Sequence, residues 1–339
     1  MDTEEVLPGA TRRRGRRLVA IAVAAVLLAV LIVPLVWPVP PIPDTVEPTA
    51  LAGPDSLFVE VAGIEYHVVI AGDEPCAVIY LHGFGASVFS WRETIADTSV
   101  RCTAIALDRP AFGLTERPLR GAWDGPNPYS PTTQADHTIA LMDELGIERA
   151  VLVGHSAGGA VAALAAARYP ERVRGLVLEA PAILHGGGTP AFVRPLLATP
   201  QARRIGPLLL RRSLAGDRGE DLVRAAWANT DAVTDETIEG YRLPLRVHDW
   251  DRALWELVIA PRPDDPADLL GEIECPVLVV AGTEDRAVPY EDSARVAEIL
   301  GARLATFEGI GHIPHEEAPE RFASEIYRFL DDLTESGDP

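Results

Sequence analysis

The stretch V-L-V-G-H-S-A-G-G-A, residues 151–160, decides how this chain folds. The branched apolar residues predict a buried strand, and the alanine-rich sequence after Ser156 predicts a helix. Ser156 therefore lies at a tight turn, and only small neighbours fit such a turn. At the helix N-terminus the N–H of Ala157 favours a developing negative charge. The pattern predicts an exposed nucleophile, and the alternative is a glycine-rich helix start that only packs on a sheet.

Composition sets the class of the protein. The 339 residues suffice for one large domain, or a domain with an insertion, and for a sizeable core. The formal net charge of −20 at pH 7 argues against nucleic acid as a partner. The sequence has no repeats and no metal-ligand spacing of Cys or His, so we expect neither a metal nor another cofactor.

An arginine-rich start and a long apolar run distinguish the N-terminal region. We expect residues 1–17 to form a cytoplasmic basic tip and residues 18–37 a transmembrane helix, because the apolar run is long enough to cross a bilayer. By the positive-inside rule the N-terminus stays in the cytoplasm, which places the catalytic part outside the cell membrane. The alternative is a secreted protein released by signal cleavage, because A-L-A at residues 50–52 resembles a cleavage site.

Alternating strand and helix signals begin after a proline-rich linker at residues 38–56. Residues 57–61 and 66–70 flank Ala62-Gly63 and predict an antiparallel hairpin. The short apolar runs that follow are typical of buried parallel strands covered by helices on both faces. These runs are residues 76–81, 103–107, 150–153, 173–178, 276–280 and 303–307.

The pattern predicts an α/β fold with a mostly parallel central sheet flanked by helices. We expect the core to comprise residues 57–182 and 274–333, which contain all the predicted strands. Residues 183–273 have helical patterns and no strand signal, so we expect an inserted helical lid there.

Two further residues complete a catalytic constellation with Ser156. Serine is a weak nucleophile until a base takes its proton and a carboxylate orients that base. Asp285 and His312 each follow a predicted strand, and sheets of this kind place their sites at the carboxyl ends of strands. The chain order Ser, Asp, His is the order expected for this arrangement. Taken singly, Asp285 is also explained as a turn or N-cap residue, and His312 as a loop histidine.

With these motifs in place, the sequence resembles the α/β-hydrolase family, in its serine-nucleophile, lid-containing branch. The resemblance covers residues 57–330 and rests on residues 82–85, 108–113, 154–159, 282–285 and 311–314. It implies Ser156 as nucleophile, Asp285 as acid and His312 as base. It also implies an oxyanion hole from the backbone N–H groups of Phe84 and Ala157, with His82 holding the oxyanion loop in place.

Some assignments stay open at this point. Glu179 follows a predicted strand where some family members keep their acid, although the turn around Asp285 matches better. We expect His315 to face solvent or the lid. Cys76 and Cys102 open strands that this fold places side by side, so they form either a disulfide or buried thiols.

The nucleophile restricts the reaction. Epoxide hydrolases and haloalkane dehalogenases of this fold attack with a carboxylate, whereas a serine forms an acyl-enzyme. We therefore predict hydrolysis of a small, lipophilic carboxylic ester supplied by the bilayer. The alternatives are a carbon-carbon bond hydrolase or haloperoxidase-type perhydrolase with the same triad, or a non-catalytic binding module.

The predicted substrate pocket is the least specific part of the analysis. Large side chains of the lid, together with one near the oxyanion loop, are candidates for its wall. The alternative is that they pack the lid helices onto the sheet and onto each other. The candidates are Trp91, Phe192, Leu208, Leu209, Leu210, Trp227, Trp250 and Trp255.

Overall fold

The computed structural model describes residues 9–184 and 188–335, and its centre is one eight-stranded sheet. The strands are β1 (Ser56–Val61), β2 (Ile64–Ala71), β3 (Ala77–Leu81), β4 (Thr103–Leu107), β5 (Ala150–His155), β6 (Val173–Glu179), β7 (Val277–Gly282) and β8 (Arg303–Phe307). They lie in the order β1-β2-β4-β3-β5-β6-β7-β8. β1 pairs with β2, and β2 with β4, in antiparallel fashion, and all other pairs are parallel. The predicted, mostly parallel sheet is confirmed.

Helices surround the sheet. The α-helices are α1 (Gly9–Val36), α2 (Arg92–Thr98), α3 (Pro131–Glu144), α4 (Ala157–Arg168), α5 (Arg194–Leu197), α6 (Pro200–Leu214), α7 (Asp217–Ala225), α8 (Asp235–Arg242), α9 (Trp250–Ile259), α10 (Tyr290–Leu300), α11 (Pro314–Glu317) and α12 (Pro319–Glu335). Short 3-10 helices are Pro48–Leu51, Val88–Trp91, Thr230–Ala232, Leu243–Arg246 and Leu270–Glu272.

The two faces of the sheet bury separate apolar cores. Side chains of α3, α4 and α10 pack on one face, and side chains of α2 and α12 pack on the other. Strands β3 and β5 are buried along their whole length, which explains why both appear in the sequence as continuous apolar runs. Five of the seven alanines of α4 are buried, because small side chains let this helix lie close to the sheet.

The hairpin predicted at the start of the core is present. Ala62 and Gly63 link β1 to β2 as a two-residue turn, with φ angles of 51° and 76°. Positive φ angles at both positions are required by the hairpin turn whose twist matches that of the strands. Helix α3 begins at Pro131, because proline fixes a helical φ at the first position of a helix.

The chain between β6 and β7 carries helices α5 to α9 and, among its described residues, no strand of the sheet. The N-terminal linker contacts this inserted segment. The N–H of Val46 donates to the carbonyl of Arg246 at 2.9 Å, and the N–H of His248 donates to the carbonyl of Val46 at 3.3 Å. The domain boundaries that we predicted from sequence remain predictions.

Helix α1 contains a long apolar segment with exposed side chains. Its residues Gly15–Val36 are long and apolar enough to cross a membrane, and none of the most apolar part is buried against the rest of the protein. This segment is therefore not a buried core helix. A membrane anchor and a signal sequence both fit its length and position.

Two of the three cysteines are bonded to each other. Cys76 and Cys102 form a disulfide with their Cα atoms 4.8 Å apart, which joins the chain just before the parallel strands β3 and β4. Cys275 remains a free, half-buried thiol, and burial raises its pKa to about 11. Of the two alternatives left open by the sequence, the structure has the disulfide.

Candidate active site

Ser156 occupies a strained turn between β5 and α4. Its φ of 52° lies in the left-handed region, which non-glycine residues adopt at a cost. Backbone hydrogen bonds hold the turn, because the N–H of Ser156 donates to the carbonyl of Glu179 and its carbonyl accepts from the N–H of Ala182. The side chain is directed into a cavity rather than into the sheet.

The glycines around Ser156 are required by close backbone contacts. A Cβ atom on Gly154 would lie 2.6 Å from the carbonyl oxygen of Gly158, and one on Gly158 would lie 2.1 Å from the carbonyl oxygen of Leu81. Real Cβ atoms do not approach carbonyl oxygens this closely. The G-x-S-x-G pattern is thus the consequence of packing the turn against β3.

We expect Gly158→Ala to lower the free energy of unfolding by about 3 kcal/mol, because the new methyl group overlaps the backbone of β3. Urea unfolding of the detergent-solubilised protein, followed by tryptophan fluorescence, measures this loss. The matched control is Gly271→Ala, whose methyl group would meet no atom within 4 Å. If both variants unfold at the same urea concentration, the turn does not pack against β3 as described.

His312 and Asp285 are directly hydrogen-bonded. The Nδ1 of His312 lies 2.7 Å from Oδ2 of Asp285, and the other carboxylate oxygen accepts the N–H groups of Ala287 and Val288. A carboxylate only accepts hydrogen bonds, so the imidazole carries its proton on Nδ1. In the neutral imidazole with this tautomer, Nε2 is the nitrogen that can take a proton. Both His312 and Ser156 line the same cavity.

Two backbone contacts position His312. Its N–H donates to the carbonyl of Ala226 in the inserted segment at 2.7 Å, and its carbonyl accepts from Nε2 of His155 at 2.9 Å. Burial, together with the neighbouring His312 and His315, holds the pKa of His155 well below its usual range, so this imidazole stays neutral. The residue before the predicted nucleophile thus positions the loop of the predicted base, a role that sequence analysis missed.

Glu317 is a second residue that sequence analysis missed. Its carboxylate accepts the N–H of Gly311 at 3.0 Å and the N–H of Ala228 at 2.8 Å. One side chain therefore ties the histidine loop to the inserted segment. The only sequence signal was its place in a short acidic stretch shortly after the histidine.

The loop after β3 lies beside Ser156. A Cβ atom on Gly83 would lie 3.3 Å from Cβ of Ser156, so the backbone leading to Phe84 passes next to the nucleophile. His82 holds this loop through two hydrogen bonds, from its Nδ1 to the carbonyl of Gly83 and from the N–H of Arg109 to its Nε2. Burial and the nearby Arg109 lower the pKa of His82 to about 3, so it is neutral. This agrees with the structural role expected for His82.

A second glutamate-histidine pair lies behind the site. Both carboxylate oxygens of Glu179 are bound by His315, one by its N–H at 2.8 Å and one by its Nδ1 at 2.7 Å. The expectation that His315 faces solvent or the lid was wrong, because its side chain is fully buried and stacks on Trp91 with ring centroids 4.0 Å apart. Glu179 is thereby occupied with a histidine other than His312.

A cavity of about 510 Å³ opens around Ser156 and His312. This volume falls within the range of roughly 300–1,000 Å³ that small-molecule sites occupy. Its wall is mostly aliphatic and aromatic and includes Phe84, Phe112, Leu214, Val223, Trp250 and Leu254. Its charged members are Arg117, Arg242, Arg286 and Glu220. The cavity can therefore hold a mostly apolar substrate, with a polar group of the substrate next to the charged side chains of the wall.

Seven of the eight predicted pocket residues do not line the cavity: the leucines Leu208, Leu209 and Leu210, and four aromatic residues. Trp91 is buried under α11, Trp227 packs on Ile313 with its ring turned into a small apolar cluster, and Phe192 is 85% exposed. Trp255 packs against Gly206, and its indole N–H donates to the carbonyl of Leu197. None of the four lines the cavity among the described residues, and Trp250 is the tryptophan that does. For three of them, packing of the fold was the correct alternative.

Comparison with known proteins identifies the family. The sequence profile of the alpha/beta hydrolase fold matches residues 77–319. The chain belongs to the α/β-hydrolase fold family. Family membership and the sheet confirm the fold that we predicted from the motifs, and they indicate a hydrolase.

Relatives within the α/β-hydrolase family have different substrates. The chain is 31% identical to 2-hydroxymuconate semialdehyde hydrolase of Pseudomonas sp. (strain CF600), over 75% of this chain and 86% of that protein. A thermophilic esterase from Thermogutta terrifontis superposes with a TM-score of 0.66 at 25% identity, over 82% of this chain and 99% of that one. A bacterial membrane phospholipase A superposes with a TM-score of 0.63 at 26% identity, over 96% and 99%.

Proposed function

We propose that this protein is a membrane-anchored serine hydrolase that cleaves carboxylic esters with a lipophilic acyl group. The observation that carries the proposal is the hydrogen bond of His312 to Asp285 at the edge of an apolar cavity that also holds Ser156. The similar esterase and membrane phospholipase A support ester chemistry. The fold alone does not support a particular reaction, since one fold hosts many functions and the site determines the chemistry.

In the proposed reaction, Nε2 of His312 takes the proton of Ser156 while Oγ attacks the ester carbonyl. The backbone N–H groups of Phe84 and Ala157 stabilise the resulting oxyanion. His312 then gives its proton to the leaving alcohol, which leaves an acyl-enzyme. The same histidine activates water to release the acid, and Asp285 keeps the imidazole in the required tautomer throughout.

The proposed location is the outer face of a membrane, with the N-terminus in the cytoplasm. The apolar part of α1 is exposed along its length, and five arginines precede it. The disulfide between Cys76 and Cys102 supports a position outside the cytoplasm, because disulfides persist in oxidising compartments. Secretion after cleavage is the alternative, and the mass of the N-terminal fragment from purified membranes distinguishes the two.

Carbon-carbon bond hydrolysis is the second candidate. It is favoured by the similarity to 2-hydroxymuconate semialdehyde hydrolase and by three arginines on the cavity wall, which suit an acidic substrate. Assays with p-nitrophenyl esters from acetate to palmitate, in parallel with a ring-cleavage dienoate, separate the candidates. We expect turnover of the esters, and turnover of the dienoate alone would contradict the proposal.

The cavity wall predicts a dependence on acyl length. Val223 on α7 lines the cavity, so Val223→Phe shortens the space for the acyl chain. We expect kcat/KM for p-nitrophenyl decanoate to fall about tenfold, while the value for the acetate changes less than about twofold. Val100→Phe, at an exposed valine outside the cavity, is the control. An equal loss for both esters would mean that the acyl chain binds elsewhere.

A further inference from the structure

Helix α6 runs alongside the end of α1 and the start of the linker. The side-chain amide of Gln201 donates to the carbonyl of Leu31 at 3.1 Å, and the guanidinium of Arg204 donates to the carbonyl of Trp37 at 3.0 Å. Further along, Arg211 donates to the carbonyl of Pro40 at 2.6 Å. The N-terminal end of α6 is therefore the end that lies next to the apolar helix.

These contacts fix the depth of α6 relative to a bilayer. Leu31 precedes Trp37 by six residues, which is about 9 Å along a helix. If α1 spans the membrane up to Trp37, Gln201 lies roughly that far below the membrane surface. Amphipathic elements that lie in the interface reach a similar depth, about 5–10 Å.

The chain just before α6 exposes large apolar side chains. Phe192 is 85% exposed and Leu196 is 68% exposed, although both are large enough to be buried in an ordinary core. The two residues are four positions apart, one just before α5 and one within it. Contiguous exposed apolar patches mark contact surfaces. Neither side chain lines the cavity, so substrate does not cover them.

The charge of this region is opposite to that of the whole chain. Residues 181–216 include five arginines and none of the 50 acidic residues, in a protein with a net charge of −20. Arg203 and Arg211 pair with Glu256 and Asp251 from outside this segment. Arg204 and Arg212 are exposed on α6. Arginines near an anionic membrane surface are attracted to it. Exposed arginines at this place suit binding to lipid phosphates.

We propose that Phe192, Leu196, Arg204 and Arg212 form a docking face that lies in the headgroup layer of the bilayer beside α1. Phe192 and Leu196 reach the acyl boundary, and the two arginines contact lipid phosphates. The inference rests on the anchor in the proposed function. Because Leu214 at the other end of α6 lines the cavity, docking sets how the cavity is held relative to the lipids.

Fluorescent labels on the full-length chain test where the docking face lies. Cys275→Ala removes the free thiol, and Leu196→Cys or Val100→Cys then carries an environment-sensitive dye. Val100 is the matched control, because it is 71% exposed and precedes β4, at the amino ends of the parallel strands, whereas the site lies at their carboxyl ends. The labelled proteins are reconstituted into vesicles of phosphatidylcholine and phosphatidylglycerol.

We expect the dye at position 196 to shift to the blue and to be quenched several-fold by lipids that carry a spin label near the headgroup. The dye at position 100 should do neither. Water-like emission from both dyes in vesicle-bound protein overturns the docking face and leaves the anchor intact. A blue shift at 196 without quenching by lipid overturns it in favour of a protein contact. Failure to float with vesicles overturns both anchor and docking face.

Activity gives a second measurement. With Phe192→Ser and Leu196→Ser together, we expect hydrolysis of an ester embedded in vesicles to fall several-fold. Hydrolysis of water-soluble p-nitrophenyl butyrate should stay unchanged, because neither residue lines the cavity. Val100→Ser should change neither rate. Equal rates on embedded ester for the double variant and the wild type overturn the docking face, whereas absence of all ester hydrolysis in the wild type overturns the proposed reaction instead.

Discussion

Ser156→Ala lowers kcat/KM for p-nitrophenyl esters by about 10⁵-fold or more, the effect expected when a triad loses its nucleophile. In the proposed reaction this hydroxyl attacks the ester carbonyl, so without it we expect no acyl-enzyme to form. The turn itself should survive, because the hydrogen bonds that hold it are made by the backbone of Ser156. We therefore expect an unchanged urea midpoint beside the loss of activity.

A serine-directed phosphonate probe provides an independent measurement of the same prediction. The wild-type protein should be labelled at one site, and Ser156→Ala should not be labelled. Ser324→Ala, at an exposed serine of α12, is the control and should keep both labelling and activity. Persisting activity in Ser156→Ala would exclude this serine as the nucleophile, and an unlabelled wild type would favour a binding module.

The second large effect is expected for Asp285→Asn, which should lower kcat by about 10⁴-fold. An amide at this position can donate its N–H to Nδ1 of His312, and the imidazole then carries its proton on Nε2. A histidine in that tautomer cannot take the proton of Ser156. KM should change little, because Asp285 is not among the residues that line the cavity.

Glu179→Gln is the matched control for Asp285→Asn. Glu179 is the other carboxylate that the sequence left open as the acid, and the structure places it on His315. We expect this variant to lose stability, by about 3 kcal/mol, since it weakens a buried pair. The folded fraction should keep kcat within roughly tenfold of the wild type. The reverse ranking of the two variants would make Glu179 the acid.

Much of the fold and the candidate site was predictable from the sequence, because the signals are local. Alternating apolar runs and helical patterns depend on neighbouring residues, and they gave the strand sequence and the turn at Ser156. The order of Ser156, Asp285 and His312 after successive strands follows from the same reasoning. The glycines next to Ser156 were also informative, since a Cβ atom at these positions would overlap the backbone.

The remaining features depend on residues that are far apart in the chain. His315 and Glu179 are separated by 136 residues, and nothing in either local sequence shows that they are bonded. Trp91 is a large aromatic residue close in sequence to the loop after β3, which made it a candidate for the pocket wall. Only its stacking against His315 shows that it belongs to the core. Exposure of Phe192 likewise depends on how the inserted segment packs.

The sequence by itself determined the order of elements, the apolar N-terminal helix and the residues able to act as nucleophile, base and acid. Tertiary structure decided which carboxylate meets which histidine, which side chains line the cavity, that Cys76 bonds to Cys102, and where α6 lies beside α1. The physical reason is that backbone preferences act over a few residues, whereas burial and hydrogen-bond partners are set only when distant segments pack together.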